Sequence, residues 1–541
     1  MPAAQIQQTF DEIFKKMEAD QFGPERYALL FKPGKYKNTV NVGFYTQVAG
    51  LGSNPDDVQI EGGVNVPANW LPNANATCNF WRSVENLAIT PNSTGGTGTF
   101  AVSQDTPLRR LHVHGDVQLF ARSANGRPGW ASGGFLADSL VDGTVDAGSQ
   151  QQWLSRNSQW GGWRGANWNT VFLGCENAPA SSFPSPPYTT IDETPVIREK
   201  PFLRLSRGGD FEVFVPALRF NSSGISWSHG PTRGTSIPLS KFYIARPETS
   251  TAADINAALA VGKDVLFTPG VYRLDDTLRV SRSDSVVMGL GKPSLVETNG
   301  KPIMAVSDVG GVQIAGLILD AGPTGSPEIL HVGVPTSGHK RDHSANPTFL
   351  YDLTVRTGGA WPGRNEVGIR VDSNNVVLDQ VWLWRADHGA GVGWTANPTS
   401  NGLVVNGDDV TCYGLFNEHH EGYQTLWNGN GGRVYMYQSE MPYDVPDQSV
   451  WMSGQTAGFA SYKVSPSVTT HEAWGVGVYC FFFRAAVRAN SAIEAPEVPG
   501  VRFHNMTTIW LSGRAGSEIS HVINDRGGSV TSQANRRQTL K

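Results

Sequence analysis

Only four cysteines, Cys78, Cys175, Cys412 and Cys480, occur in the 541 residues. None sits in a CxxC pair or at ligand-like spacing from a histidine, so the cysteines give no sign of a zinc site. They are either buried thiols or the source of one disulfide. Charge is also scarce: 17% of residues are charged, the net charge is −5, and there is no basic block. That balance argues against a nucleic-acid partner. No apolar run reaches the roughly 18 residues that a membrane-spanning helix requires. The opening MPAAQIQQTF lacks the basic and apolar regions of a signal peptide. Sequons at Asn75, Asn92, Asn221 and Asn505 are compatible with secretion, so the expectation is a secreted protein, monomeric, whose leader is absent from this chain.

What is abundant is glycine (61), proline (33) and tryptophan (16). This composition favours many turns and short strands over helices or disorder. The length suggests two or three domains, or one long repetitive architecture. Aromatic rings in a weakly charged chain suit a neutral, hydroxylated ligand such as a sugar, whose C–H faces stack on them.

A long internal repeat sets the architecture. YALLFKPGKYKNTVNVGFYTQVAGLG (Tyr27 to Gly52) matches KDVLFTPGVYRLDDTLRVSRSDSVVMGLG (Lys263 to Gly291), and the two turns are 236 residues apart. A helix-like segment precedes each copy, QIQQTFDEIFKKM in the first and TAADINAALAVG in the second. Short strands follow at turn-separated intervals. Some, such as VVLDQVWLW, alternate apolar and polar residues as strands with one buried face do. Asn and Gly recur at the strand ends, where tight bends require positive φ. The pattern reads as an all-β solenoid, a parallel β-helix in each half with a short capping helix; a pair of β-sandwiches is the alternative. The proline-rich SFPSPPYTTIDETPVIREKPFLRL and PLSKFYIARPETS carry the chain between the halves. The expected organisation is an N-terminal β-helix over 1–215, a linker over 216–250 and a C-terminal β-helix over 251–541.

The stretch FNEHHEGYQTLWNGNGGRVYMYQSEMPYDVP (Phe416 to Pro446) is too polar and too rich in glycine to pack a core alone. In a parallel β-helix, residues one coil apart stack at the strand spacing of about 4.8 Å. Asp387, Glu418, Glu440 and His471–Glu472 are separated by 31, 22 and 31 residues, each near one coil, so these acids are expected in one column. Trp384, Trp427, Tyr437 and Tyr443 would flank it. Stacked carboxylates repel, so at least one should hold its proton near neutrality. A protonated acid beside an ionised one is what glycoside hydrolysis needs. The competing explanations are structural. Acids at such turns cap loops or face water, His388 and His471 can fix loops, and Trp382 and Trp384, on one strand face, can pack rather than stack on sugar.

At these residues, and over nearly the whole chain, the sequence resembles glycoside hydrolase family 55. The resemblance rests on GGFLADSLVDG, SQQQW, PPYTT…TPVIREKPFL, LFTPGVY, LILDAGP, WLWRADHGAGVGW, VNGDDV, GLFNEH, YQSEMPYDVPDQ, SVTTHEAWG and VRFHNM, and is nearer to bacterial than to fungal members. It implies two tandem right-handed β-helices arranged like a rib-cage, with a cleft between them. The implied activity is exo-acting, inverting hydrolysis of β-1,3-glucan. Glu440 falls at the general-acid position and Glu418 at a neighbouring active-site acid. Asp387 and Trp384 match sugar-contacting residues, and Gln151 and Gln152 would hold the water or the sugar. His388, Trp427 and Tyr443 complete the expected substrate-binding set, and no metal or cofactor is called for. Two other functions compete. A polysaccharide lyase would use Ca²⁺ and a basic residue on a polyuronate, yet no Arg/Lys concentration accompanies the acids; a non-catalytic glycan-binding β-helix would bind without cutting.

Overall fold

The computed structural model describes residues 2–93, 95–228, 230–335 and 340–541. The chain is all-β with parallel ladders, apart from short helices, and divides into two compact units. The first comprises Met1–Ile244 with Leu266–Gly270 and Gly289–Pro293; the second comprises Ala245–Val265, Val271–Met288 and Ser294–Lys541. The parallel pairing removes the sandwich alternative, whose sheets are antiparallel. All four cysteines are free, and no described helix is long and apolar enough to cross a membrane.

In the first unit, Tyr27–Phe31, Thr46–Gly50, Ser83–Ile89, Pro107–Val113, Phe135–Ala137, Gln152–Arg156, Asn169–Leu173 and Tyr188–Ile191 pair in that order, all parallel. Val48, Val84, Leu108, Leu136 and Trp153 turn inward and are buried in its core. The proline-rich SFPSPPYTTIDETPVIREKPFLRL is not simply an extended connection. Beyond residue 193 it pairs antiparallel, Thr194–Ile197 with Arg219–Ser222 and Phe202–Leu205 with Phe211–Pro216 and then Gly234–Pro238. Within FEVFVP, Val213 and Phe214 are buried and anchor the middle strand, while Phe211 stays exposed.

The second unit is a parallel β-helix that alternates between two sheets. One runs through Gln313–Ala315, Phe349–Thr357, Val377–Arg385, Thr411–Glu418, Gly432–Glu440, His471–Phe482 and Val501–Gly513. The other runs through Leu278–Val280, Met304–Val306, Ser326–Val332, Asn365–Val371, Asn401–Val405, Thr425–Trp427, Tyr462–Val464, Arg488–Glu494 and Glu518–Ile523. The Ala252–Ala260 helix opens with a capping box. Thr251 accepts from the Asp254 amide, and the Asp254 carboxylate accepts from the Thr251 amide.

One backbone device recurs in both units. Asp352, Gln380, Gly414, Met436, Gly475 and Asn505 all have φ between 50° and 67°, and each follows a residue in register with its counterpart in the next coil. In the first unit Asn86, Arg110, Asp138 and Asn157 do the same, with φ of 47–53°. A single left-handed residue bends the strand sharply. Repeated at one register position, it gives every coil the same corner.

A second repeated feature stabilises the turn of the other sheet. Val332, Val371, Val405, Trp427 and Val464 stack inside the coil. Just beyond them runs a polar ladder. His331 Nε2 meets Asp372 Oδ2 at 2.8 Å, Asn406 Nδ2 donates to Asp372 Oδ1 at 2.6 Å, and Asn428 Nδ2 donates to Asn406 Oδ1 at 2.7 Å. The Ser465 hydroxyl donates to Asn428 Oδ1. Burial works against the charge of His331, but hydrogen bonds with Asp372 and Glu328 outweigh it and raise its pKa to about 9. A raised histidine stabilises the fold fully below its unfolded pKa of about 6.5, and loses that contribution as pH climbs through the folded value. Unfolding free energy should therefore decline from about pH 6.5 to about pH 9. In His331→Gln, urea unfolding across this window should show a flatter slope; an unchanged slope would rule the pair out as its source.

Candidate active site

The common corner decides which residues meet. The fourth residue after each left-handed position is Arg356, Trp384, Glu418, Glu440 and Tyr479 in turn, and the register stacks them one above another. Glu418 and Glu440 are thus adjacent rungs, with backbones about 4.8 Å apart, as the sequence spacing requires. The other two acids expected in this column are placed differently. Glu472 pairs with Arg433, far back along its strand, and His471 pairs with Gly432. The rung above Glu440 is Tyr479, because residues 441–470 form a longer excursion than a constant coil length allows for. Asp387 lies three residues beyond Trp384, at the exposed rim.

Each carboxyl has a specific set of neighbours. Trp382 Nε1 donates to Glu418 Oε2 at 2.9 Å, and Gln438 Nε2 donates to Glu440 Oε1 at 3.1 Å. The Tyr443 hydroxyl donates to Glu440 Oε2. Asp387 Oδ1 is 2.9 Å from His388 Nδ1 and 3.9 Å from His419 Nε2. The imidazole of His419 packs on the Tyr443 ring at 4.3 Å and its Nδ1 donates to the Met441 carbonyl. A side chain at Gly477 would sit 2.5 Å from the Tyr479 hydroxyl, so glycine there gives Tyr479 its room.

The electrostatics separate these acids. Burial, reinforced by the charges of Glu440 and Asp387, holds the Glu418 carboxyl well above the usual range. Burial, with Asp387 adding to it, also raises Glu440. Burial pushes Asp387 upward too, but the hydrogen bond and positive charge of His388, with His419, overcome this and bring it to about 2. The site therefore sets a carboxylate biased toward its ionised form at the rim beside a Glu pair biased toward the protonated form. Burial and the adjacent charges also keep the Tyr443 and Tyr479 hydroxyls protonated, well above the ordinary phenol value.

A buried guanidinium fixes the loop that carries Tyr443. Arg385, 1% exposed, grips Asp444 with two bonds of 2.8 and 2.9 Å, and also donates to the Asn397 carbonyl at 3.0 Å and the His419 carbonyl at 3.2 Å.

The other residues proposed from sequence fall in two groups. His388 and Tyr443 belong to the cluster. Trp384 is in the column but 2% exposed, stacked on Trp382 at 5.3 Å with His388 edge-on to it, so packing describes its surroundings. Trp427 is not beside the carboxylates. It is fully buried in the other sheet, against Tyr462 and His471, because its strand position points into the coil. Gln151 and Gln152 are buried in the first unit, where Gln152 Nε2 donates to the Ser132 carbonyl. Sequence reasoning missed Gln438, His419, Arg385, Asp444 and Tyr479. For Gln438 the signal was present, since it lies two residues before Glu440 and so shares its strand face.

A stacked pair of carboxyls beside an ionised third, at the ends of adjacent interior strands of a parallel β-helix, is the equipment of a glycoside hydrolase. Comparison with known proteins agrees. Residues 242–440 match the LAM55 pectate lyase-like domain. An exo-beta-1,3-glucanase of Streptomyces sp. (strain SirexAA-E / ActE) is 50% identical over 525 residues, 96% of this chain and 84% of that protein. The solved structure of sacteLam55A from Streptomyces sp. SirexAA-E superposes with a TM-score of 0.95 at 48% identity, over 99% of this chain and 95% of that one. A glutamate-to-alanine variant of sacteLam55A in complex with glucose gives 0.95 at 47%, over the same shares. The chain belongs to glycoside hydrolase family 55.

The Arg385–Asp444 pair yields a direct test. Asp444→Ala leaves the buried guanidinium two carbonyls and a more distant carboxylate, Glu421, 3.7 Å away, and should cost about 3 kcal/mol in urea unfolding. A loss below about 0.5 kcal/mol, the surface-pair range, would show that Arg385 is satisfied by carbonyls alone.

Proposed function

We propose that this enzyme hydrolyses β-1,3-glucan from chain ends with inversion, using Glu440 as general acid, on a scaffold of two tandem right-handed β-helices. The β-1,3-glucan substrate is favoured by the activity named for its Streptomyces relative. A glucose-bound complex of such a relative fits a site that accepts single glucose units.

The observation that carries the residue assignment is the difference in exposure within the pair. Glu418 is 3% exposed and bonded to Trp382, while Glu440 is half-buried at the strand end, held by Gln438 and Tyr443. The more accessible carboxyl delivers the proton to the glycosidic oxygen. Burial and the charge of Asp387 raise its pKa, which favours the protonated form a general acid needs. Asp387, ionised at the rim, binds sugar hydroxyls through charge-assisted hydrogen bonds, with His388 orienting it and Trp384 supporting His388. A lyase would need a group that withdraws a proton beside a uronate, whereas this pair is biased toward holding one.

Glu440→Gln should fold normally and lose on the order of 10²–10⁴-fold in kcat on laminarin, since an amide cannot donate the required proton. Wild-type kcat in this variant would refute the assignment. Asp387→Asn should raise KM. It should also move the alkaline limb of the kcat/KM profile to lower pH, because removing its negative charge lets the Glu440 proton leave more readily. A limb that stays in place, measured across about four pH units, would separate Asp387 from the proton donor.

A further inference from the structure

The corner that stacks Glu418 on Glu440 in the second unit also operates in the first, where it assembles a different set of side chains. The fourth residue after Arg110 is His114, and the fourth after Asp138 is Asp142. The register of Leu140 with His112 and Val141 with Val113 brings these coils together. His112 lies two residues before His114 on the same strand face. Asp56, from the short helical turn Pro55–Asp57, completes the group.

We propose that Asp56, His112 and His114 form a binding site for one first-row divalent transition-metal ion, of which zinc is the representative, with Asp142 holding the two imidazoles by their other nitrogens. One ligand atom from each of Asp56, His112 and His114 lies within 4.8 Å of the others. His112 Nδ1 is 2.6 Å from Asp56 Oδ1, and His112 Nε2 is 3.1 Å from Asp142 Oδ1. His114 Nδ1 is 2.8 Å from Asp142 Oδ2 and its Nε2 is 3.9 Å from Asp56 Oδ1. An ion taken by Asp56 Oδ1, His112 Nδ1 and His114 Nε2 leaves His112 Nε2 and His114 Nδ1 on Asp142, the outer carboxylate contact that orients metal-bound imidazoles.

The donor set selects the ion. Two imidazoles and a carboxylate suit zinc, copper or nickel, whereas calcium and magnesium require more oxygen ligands. The imidazole centres are only 3.9 Å apart, close enough for one ion to bind both rings. Both carboxylates are open to solvent, at 44% and 48% side-chain exposure, which provides an entry path. The backbone is held in advance. The Asp56 amide donates to Asn54 Oδ1 at 3.1 Å, and next to Asp142 the Gly143 amide donates to the Gly115 carbonyl at 3.0 Å. Trp227 packs on His112 at 5.7 Å and limits its rotation. The bound ion would tie the Pro55–Asp57 turn to the end of the Pro107–Val113 strand and stabilise the fold by mass action.

The experiment titrates Zn²⁺ into the full-length, chelator-stripped protein by calorimetry at neutral pH, with Co²⁺ absorption as a geometric readout. One saturable equivalent is expected, together with a tetrahedral cobalt spectrum and a higher thermal midpoint in Zn²⁺. His114→Gln and the isosteric Asp142→Asn, both at exposed side chains, should each weaken binding tenfold or more. Absence of saturable binding would reduce the cluster to imidazole–carboxylate ion pairs and overturn the proposal. So would binding that survives undiminished in both variants, since the ion would then sit on other histidines.

Discussion

A single left-handed residue in each coil sets what the rest of the second unit can do. It costs on the order of 1–2 kcal/mol at a non-glycine position, and Gln380 and Met436 both adopt it. Hydrogen-bonded coils above and below hold the bend in place. Because the bend recurs in register, side chains counted from it superpose, and Trp384, Glu418, Glu440 and Tyr479 form one file. No long-range packing choice is needed to bring the acids together; the ladder does so rung by rung.

The file then sets the charge states. Three acids lie close together, yet their environments separate them. Two are buried, which favours the neutral form and outweighs the hydrogen bonds from Trp382, Gln438 and Tyr443 that favour the charged one. The third is served by two histidines that favour the charged form. The charge on Asp387 in turn discourages ionisation of the pair, so the rim carboxylate and the buried proton sustain each other. Arg385 acts at a distance from this chemistry by holding the loop of Tyr443 and the backbone of His419 to one position.

Much of this was legible in the sequence. The repeated strand–turn–strand units before Gly52 and Gly291 reappear as Tyr27–Phe31 to Thr46–Gly50 and Asp264–Phe267 to Val286–Gly289, each preceded by its helix. The Glu418–Glu440 pairing followed from a spacing of one short coil. Tyr479 was not legible, because counting assumes coils of similar length and the excursion after Glu440 violates that. Trp427 was misplaced because its neighbours in sequence are polar turn residues, while its own strand position faces inward. The His-x-His of LRRLHVHG was read only as a strand. Its carboxylate partners lie more than 25 residues away on either side, out of reach of any local motif.

The ends of the parallel ladder bear on whether the second unit could propagate beyond its own coils. A stacked solenoid leaves open backbone at its last rung, and such an edge can recruit another chain into a growing fibre. Here the run of parallel strands ends at Val501–Gly513, which is met by Arg537–Leu540 running the opposite way. That strand is four residues long, begins with an arginine and is flanked by Arg536 and Lys541. Charge and brevity make it a poor template, so a fold assembled from stackable rungs carries its own terminator against fibril growth at that edge.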